Sequence, residues 1–506
     1  MTKDRIGFKF SRCLAGAVLL LFTSFVYAAY PSGPLPSASE LKSFAQGIEN
    51  DPVWVTENMD QLARLRPNQL DELITDLDFT HFTFLHVMRM KGQELGNELL
   101  GEDLAKISMM SVRGGQLKPI PFQVDEFGEE YGWIYVPGKS PGKVDGVYQQ
   151  LDEGDELIFM YRDTSKDRFN PETMAIPEGK IAKELKLTPK IGPERYTYIL
   201  LDNPLRSEAD YVDIRIEKEG TFVETTFYHT ESDPKSFIEF RDFQAHIGSK
   251  QYTNILDAIR INAAAGIFFD WARGAVDNDN VRIHIIGAHD GAVRVASLAK
   301  LEIYIAGIQL FSLYTQVNFY DQGIHIPNRT EIGAAGSFAK IFRDPTIEVS
   351  LDFVDATNAV VSAASVWDDF GVGVVDGKMT EMERRVNELP LPGDWIWMDS
   401  KQGWDVFMQI TLPPELTDGM HTAMLYLDDP NDLTDWERYP GAKPRIGLRT
   451  KGLPTNIGTF HELELDIGIW FPDSVGPAGP KVFFEELSNP PVVEISNPDA
   501  ESMALL

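Results

Sequence analysis

Val281-Arg-Ile-His-Ile285 and Leu301-Glu-Ile-Tyr-Ile305 alternate apolar with polar side chains, residue by residue. The same period recurs at Val212-Asp-Ile-Arg-Ile216, Ile347-Glu-Val-Ser-Leu351 and Leu463-Glu-Leu-Asp-Ile467. A period of two puts every second side chain on one face of an extended chain, so each stretch reads as a half-buried antiparallel strand. No strand–helix–strand rhythm separates them, which argues against a doubly wound parallel sheet. The fold expected is mainly β: a large antiparallel β-sandwich with a short helical N-terminal segment.

Outward from these strands the pattern changes twice. Toward the N-terminus, Ser37-Ala-Ser-Glu40 reads as a capping box, and Leu41, Phe44, Ala45 and Ile48 follow at helical spacing. Met59, Leu62, Leu65, Leu70, Leu73, Ile74 and Leu77 continue that spacing, broken at Pro67, so two or three short helices are expected there. Thr380 to Asn387 reads as one further short helix. Beyond Asn489, Pro490-Pro491 and Asn497-Pro498 leave little to bury, so residues 489–506 are expected to be a flexible tail. The organisation expected is a signal peptide over 1–28, a linker and helical segment over 29–80, an N-terminal β region over 81–205 and the main sandwich over 206–488.

The leader carries Lys3, Arg5, Lys9 and Arg12, then an apolar run from Leu14 to Val26, then small residues around Ala28. That order is the one a secretory signal peptide has. An uncleaved anchor is the alternative, although spanning a bilayer needs roughly 20 apolar residues. The single cysteine, Cys13, precedes the run and would leave with it, so disulfides cannot hold the mature chain. A large exported protein without cysteine fits a periplasm or outer envelope. No integral membrane domain is expected, because the apolar stretch Ile303 to Leu313 is short and interrupted by Gly307 and Gln309.

Composition narrows the partners. Lys and Arg total 46 against 77 Asp and Glu, a formal charge of −31 that repels phosphate backbones and excludes nucleic acid as a partner class. Serine-hydrolase, P-loop and dinucleotide signatures are missing from the sequence, with Gly371-Val-Gly373 standing alone.

Three phrases carry a resemblance. They are Pro119-Ile-Pro-Phe-Gln-Val-Asp-Glu126 with Leu151-Asp-Glu-Gly-Asp-Glu-Leu-Ile-Phe159, then Gly287-Ala-His-Asp-Gly-Ala-Val-Arg294, then Pro440-Gly-Ala-Lys-Pro-Arg-Ile-Gly447. Together they resemble uncharacterised exported bacterial families with a galactose-mutarotase-like supersandwich, a fold also used by polysaccharide lyases and glycoside-processing enzymes. Where those families read Asp-Gly-Pro-Val-Arg, this chain has Asp290-Gly-Ala-Val-Arg294. The resemblance implies a fold and brings no agreed catalytic residues with it.

Candidate chemistry gathers around that second phrase. Phe268-Phe-Asp270-Trp271 with Arg273, followed by His289, Asp290 and Arg294, combines an apolar ring surface, an imidazole, a carboxylate and a cation. Sugar rings stack on indoles while carboxylates and guanidinium groups bond hydroxyls, so Asp270, Trp271, Arg273 and Arg294 are candidate substrate-binding residues. His289 and Asp290 are candidate catalytic residues, since an imidazole titrates near neutrality. In the competing reading the aromatic residues are core and His289-Asp-Gly291 is a hairpin turn. Trp395-Ile-Trp397 and Trp404 suit a ligand platform or one face of a strand. Gln123-Val-Asp125-Glu126 with Asp152-Glu-Gly-Asp-Glu156 could supply a carboxylate pair for acid–base work, and in the structural reading Gly154 turns a hairpin while a buried Gln123 satisfies backbone groups across a sheet edge.

Asp277-Asn278-Asp279-Asn280 offers four successive oxygen-bearing side chains, the ligand type of a calcium site, and equally the composition of a turn. Asp428-Asp-Pro-Asn-Asp432 with Asp435 offers a second such cluster. The function expected is non-catalytic binding of a glycan or related envelope small molecule. The alternatives are a carbohydrate-active lyase or hydrolase, and an assembly or transport accessory that docks an outer-membrane or envelope protein.

Overall fold

A computed structural model gives the architecture. It describes residues 36–498 except 52, 63–64, 66, 130–132, 246–252, 268, 306, 332–341, 365–371, 391–394, 412–418, 430, 432–442, 453–461 and 472–474. The leader therefore lies outside the described residues, as do Asp432 and Asp435.

All five alternating stretches fall within antiparallel strands. Leu256–Ile267, Phe342–Phe353, Arg445–Gly452 and Met420–Leu427 sit side by side in a ten-stranded sheet that ends at Val212–Ile216. A nine-stranded sheet runs Val281–Asp290, Arg294–Ile305, Ile308–Tyr320, Gly323–Glu331, Glu462–Trp470, Asp405–Thr411 and Trp395–Asp399, then two short strands. The two sheets share one hydrophobic core. Phe237 and Phe353 come from the ten-stranded sheet, and Ile283, Phe319, Met398 and Ile469 from the nine-stranded one. Phe237 meets Phe319 edge to face at 5.7 Å between ring centroids, the contact geometry aromatic quadrupoles prefer. The molecule is mainly β, a large antiparallel sandwich.

The nine-stranded sheet is apolar on both faces, and this decides the rest of the architecture. Along Asp405–Thr411 the odd residue Phe407 turns away from the sandwich core that Val406 and Met408 enter. Trp395 and Trp470 join Phe407 on that outer face. Covering it are the helices His81–Leu85 and Pro480–Leu487, with Phe483 lying 4.8 Å from Phe407, centroid to centroid. The indoles of Trp395 and Trp404 are thus core, at 6% and 3% exposure, rather than a ligand platform. Trp397 is half-buried and its indole N–H is taken by Asp405 at 2.7 Å.

Two smaller sheets contribute to the same outer core. One orders Val87–Lys91, Glu156–Met160 and Phe122–Asp125. The other orders Val492–Ser496, Lys180–Thr188, Arg195–Leu201, Ser108–Arg113 and Gln116–Pro119. The helix Ala38–Asn50 starts at the Ser37 capping box and buries Leu41, Phe44, Ala45 and Ile48, as the spacing predicts. Pro67 starts a helix, Pro67–Asp76, because a first-turn position needs no N–H donor. Thr380 caps the short helix Glu381–Val386. Part of the expected tail is different: Val492–Ser496 pairs with Lys180–Thr188 as an edge strand, because Val493 and Ile495 pack onto the second core. Among the described residues no helix is long and apolar enough to cross a membrane.

Candidate functional site

The strand Val281–Asp290 turns through Gly291, Ala292 and Val293 into Arg294–Ile305. That hairpin tip is fastened to the three-stranded sheet by one glutamine. The Oε1 of Gln123 accepts the N–H groups of Val293 (2.9 Å) and Arg294 (2.8 Å), and its Nε2 donates to the Arg294 carbonyl at 3.0 Å. Two turn donors and one acceptor that water cannot reach are satisfied together. Gly291 has no side chain where that amide passes, and a Cβ there would run into it. The reading of Gln123 as a group that satisfies backbone across a sheet edge is the one the geometry supports.

Beneath the turn lies a buried charge network. Asp125 is fully buried and pairs in register with Glu156 across the three-stranded sheet. Its Oδ2 accepts the Nε (2.7 Å) and Nη2 of Arg294, and Glu156 takes Nη1 at 2.9 Å. Nη1 also reaches the Tyr320 hydroxyl at 3.2 Å. The remaining Asp125 oxygen, Oδ1, accepts from Gln123 Nε2 at 2.7 Å and meets His289 Nε2 at 3.1 Å. Every nitrogen of Arg294 is therefore engaged inside the protein. At 1% exposure it cannot touch a ligand, so its expected place in substrate binding gives way to that of an anchor.

His289 is the member of this network that reaches solvent, with its side chain 36% exposed. A carboxylate can only accept, so Nε2 carries the hydrogen given to Asp125 and Nδ1 is left for other work. The Asp125 hydrogen bond holds the imidazole pKa above its ordinary value against the opposing effect of burial. Burial alone would raise the Asp125 carboxyl, yet Arg294 and the His289 bond bring it below the usual carboxylate range. Around the imidazole the carboxyls shift the other way. Burial, with Asp213 and Asp210 nearby, pushes Asp290 up to about 6. Burial likewise raises Glu126, whose Oε1 accepts the Gln149 N–H at 2.6 Å. Asp155 rises to about 7 for the same reason, while accepting from Asp152 and Phe127. An oriented imidazole with two easily protonated carboxyls in electrostatic reach can hold hydroxyl groups or move a proton.

The other expected residues are placed differently. Phe269–Val276, which carries Asp270, Trp271 and Arg273, pairs with Leu256–Ile267 in the ten-stranded sheet, whereas His289 belongs to the nine-stranded one. The side chains of Asp270, Trp271 and Arg273 lie outside the described residues. Asp277 to Asn280 forms the turn into Val281–Asp290. There Asn278 Oδ1 accepts the Ile261 N–H and its Nδ2 donates to the Ile259 carbonyl, while Asp277 Oδ1 accepts the Asp279 N–H at 3.1 Å. In the second Asx cluster, Asp428 is buried and accepts from Asp376 N–H and Tyr426. Tyr320 was not among the expected site residues. Glu156 stood in a noted phrase, but nothing in the sequence says which carboxylate Arg294 will find.

No family model matches the chain, and no curated protein matches it. Solved structures similar at low identity include the following two. An alpha-mannosidase from Enterococcus faecalis is 9% identical with a TM-score of 0.33, over 85% of this chain and 48% of its own. HI1317 is 8% identical with a TM-score of 0.24, over 51% of this chain and 99% of its own. The chain spans about half the length of the mannosidase.

Proposed function

We propose that the chain is an exported envelope protein that holds a neutral glycan, or a related hydroxyl-rich envelope molecule, at the 290–294 hairpin tip without altering it. The observation that carries this reading is His289, fixed from below by a buried carboxylate yet one-third exposed. Its neighbours Asp290 and Glu126 are carboxyls raised by burial, whose oxygens can accept hydrogen bonds from a ligand's hydroxyls. A rigid tip lowers the ordering cost of binding. The net charge of −31 favours an uncharged ligand over a polyanion. The resemblance of three sequence phrases to supersandwich families points the same way.

A second reading is favoured by one observation. Asp290, raised to about 6, stands next to an imidazole whose pKa is also raised, an acid and a base poised near neutrality. That pair would suit a carbohydrate-active lyase or hydrolase. One experiment separates the two. Against a panel of immobilised neutral oligosaccharides, His289→Ala should weaken retention by about 1–3 kcal/mol, the range for losing an interface anchor, with every ligand recovered intact. New products whose formation falls about 10²–10⁴-fold in His289→Ala would establish the enzyme instead. Equal retention by both proteins would remove the site from the hairpin.

A further inference from the structure

A second concavity opens where His81–Leu85 and Pro480–Leu487 cross the outer face of the nine-stranded sheet. Its volume is about 120 Å³, close to the space of a single six-membered ring. Phe82, Phe483 and Trp470 form apolar walls, with Phe483 edge-on to both others at 6.0 and 6.1 Å between centroids. Gly468 has no side chain where the Trp470 indole passes, and a Cβ there would displace the ring.

The polar groups of this pocket are left unsatisfied in one direction. Gln322 lines it at 5% exposure, and among the described residues its Oε1 has no partner. His325 gives Nε2 to Asp466 at 2.6 Å, while its Nδ1 is buried with no partner among the described residues. Asp466 can only accept at that contact, so in the neutral ring Nδ1 is an acceptor too. An orphaned buried acceptor is costly, and native interiors seldom keep one, still less two in one pocket. His86 closes the same wall, its ring 4.5 Å from that of Phe82. Burial, then the neighbouring Arg89, push its imidazole down to about 3, so it stays uncharged. Arg89 in turn acts on Asp466 as well, so the cation already faces a carboxylate of its own.

We infer that this pocket binds one neutral hydroxylated ring, the size of a single pyranose unit, with its C–H face on Trp470 and its hydroxyls donating to Gln322 Oε1 and His325 Nδ1. The walls supply the stacking surface, and the two unpaired acceptors require donors. Arg89 acts electrostatically on Asp466, whose negative charge offsets its attraction for an anion. The inference does not depend on the hairpin site. Tyr320 links the two places, since it lines this pocket while its hydroxyl meets Arg294.

The test is a titration of the full chain with methyl β-D-glucopyranoside and methyl β-D-galactopyranoside, followed by saturation-transfer NMR, with benzoate as the aromatic anion for comparison. Saturable binding of at least one sugar is expected near ~1 mM, with the imidazole resonances of His86 and His325 shifting together. Gln322→Met, which removes the acceptor at similar volume, should raise that Kd about tenfold or more, equivalent to about 1.4 kcal/mol. The imidazole shifts read the same claim in the unaltered protein, so the test stands even where the variant does not fold. Saturation by benzoate in place of the sugars would overturn the ligand class. No saturable sugar signal would leave ordered water as the partner of Gln322 and overturn the pocket as a binding site. Sugar binding that moves neither imidazole would assign the ligand to another surface, the hairpin tip included, and overturn this inference while leaving that one standing.

Discussion

Gln123 and Asp125 sit two residues apart on one strand face and between them hold the turn and the guanidinium of a hairpin far along the chain. Removing the glutamine as Gln123→Ala strands two N–H donors, so a loss of about 1–3 kcal/mol per donor is expected in denaturant unfolding. Asp125→Asn removes the carboxylate that takes two of the Arg294 nitrogens and leaves the guanidinium with Glu156 and Tyr320, and breaking a buried pair in this way costs about 3–5 kcal/mol. A variant as stable as the native chain would show that the network carries no such weight. The same groups set the response to pH. His289 has a raised pKa in the fold, so its ion pair contributes fully below about 6.5 and is lost as pH climbs through the folded value. Asp125 is lowered, and contributes above about 3.9 until pH falls through its folded value. Asp290 and Asp155, raised to about 6 and about 7, bind protons more tightly folded than unfolded, and each costs stability as pH rises toward those values. Between about pH 6.5 and 8 the effects of His289 and Asp155 act alike, and His86, held near 3 in the fold, adds stability only as pH rises toward about 6.5, so the melting temperature should fall across that window. His289→Gln should flatten its upper part. A native profile that rises instead would contradict the assignment.

At the scale of elements, period-two alternation located strands well because it is a local consequence of one wet and one dry face. Val212–Ile216 is found as read, and the longer strands extend their quoted cores by a few residues. Where both faces are dry, the pattern stops discriminating. Trp395-Ile-Trp397 looks like a platform in sequence, yet Ile396 and Trp395 enter two different cores. Sequence proximity misled in another way for the candidate site. Trp271 and His289 are near in the chain, but their strands join different sheets. What gathers around His289 instead comes from the strand of Asp125, which no local pattern could connect to it. The Asx run at Asp277 to Asn280 is a turn in which the Oδ1 atoms of Asp277, Asn278 and Asn280 accept backbone N–H groups. Chelator is therefore expected to leave the melting temperature unchanged. A clear drop on chelation would return a calcium ion to Asp277 and Asp279, by the linkage between a ligand and the state it binds.

For the whole molecule the decisive feature is a sheet with two cores. The sandwich packs on one side of the nine-stranded sheet, and the helices with the two small sheets pack on the other. Phe407→Ala, at the centre of the outer face, should cost about 3–5 kcal/mol. Loss of the outer layer's protection alone, with the sandwich intact by hydrogen exchange, would show that the two layers unfold separately. The proposed export also concerns the whole chain, and on that proposal mass spectrometry of the protein from the cell envelope should find Ala29 or Tyr30 at the N-terminus. An intact Met1 in that fraction would contradict it.

The most direct measurement on the central claim follows the His289 imidazole resonance of the full chain during titration with neutral oligosaccharides at neutral pH, with the ligand recovered and weighed by mass spectrometry. A saturable shift of His289, with the ligand's mass unchanged, is the expected result. A bound oligosaccharide that leaves His289 unmoved, or one that returns cleaved, would contradict a hairpin tip built to hold its ligand intact.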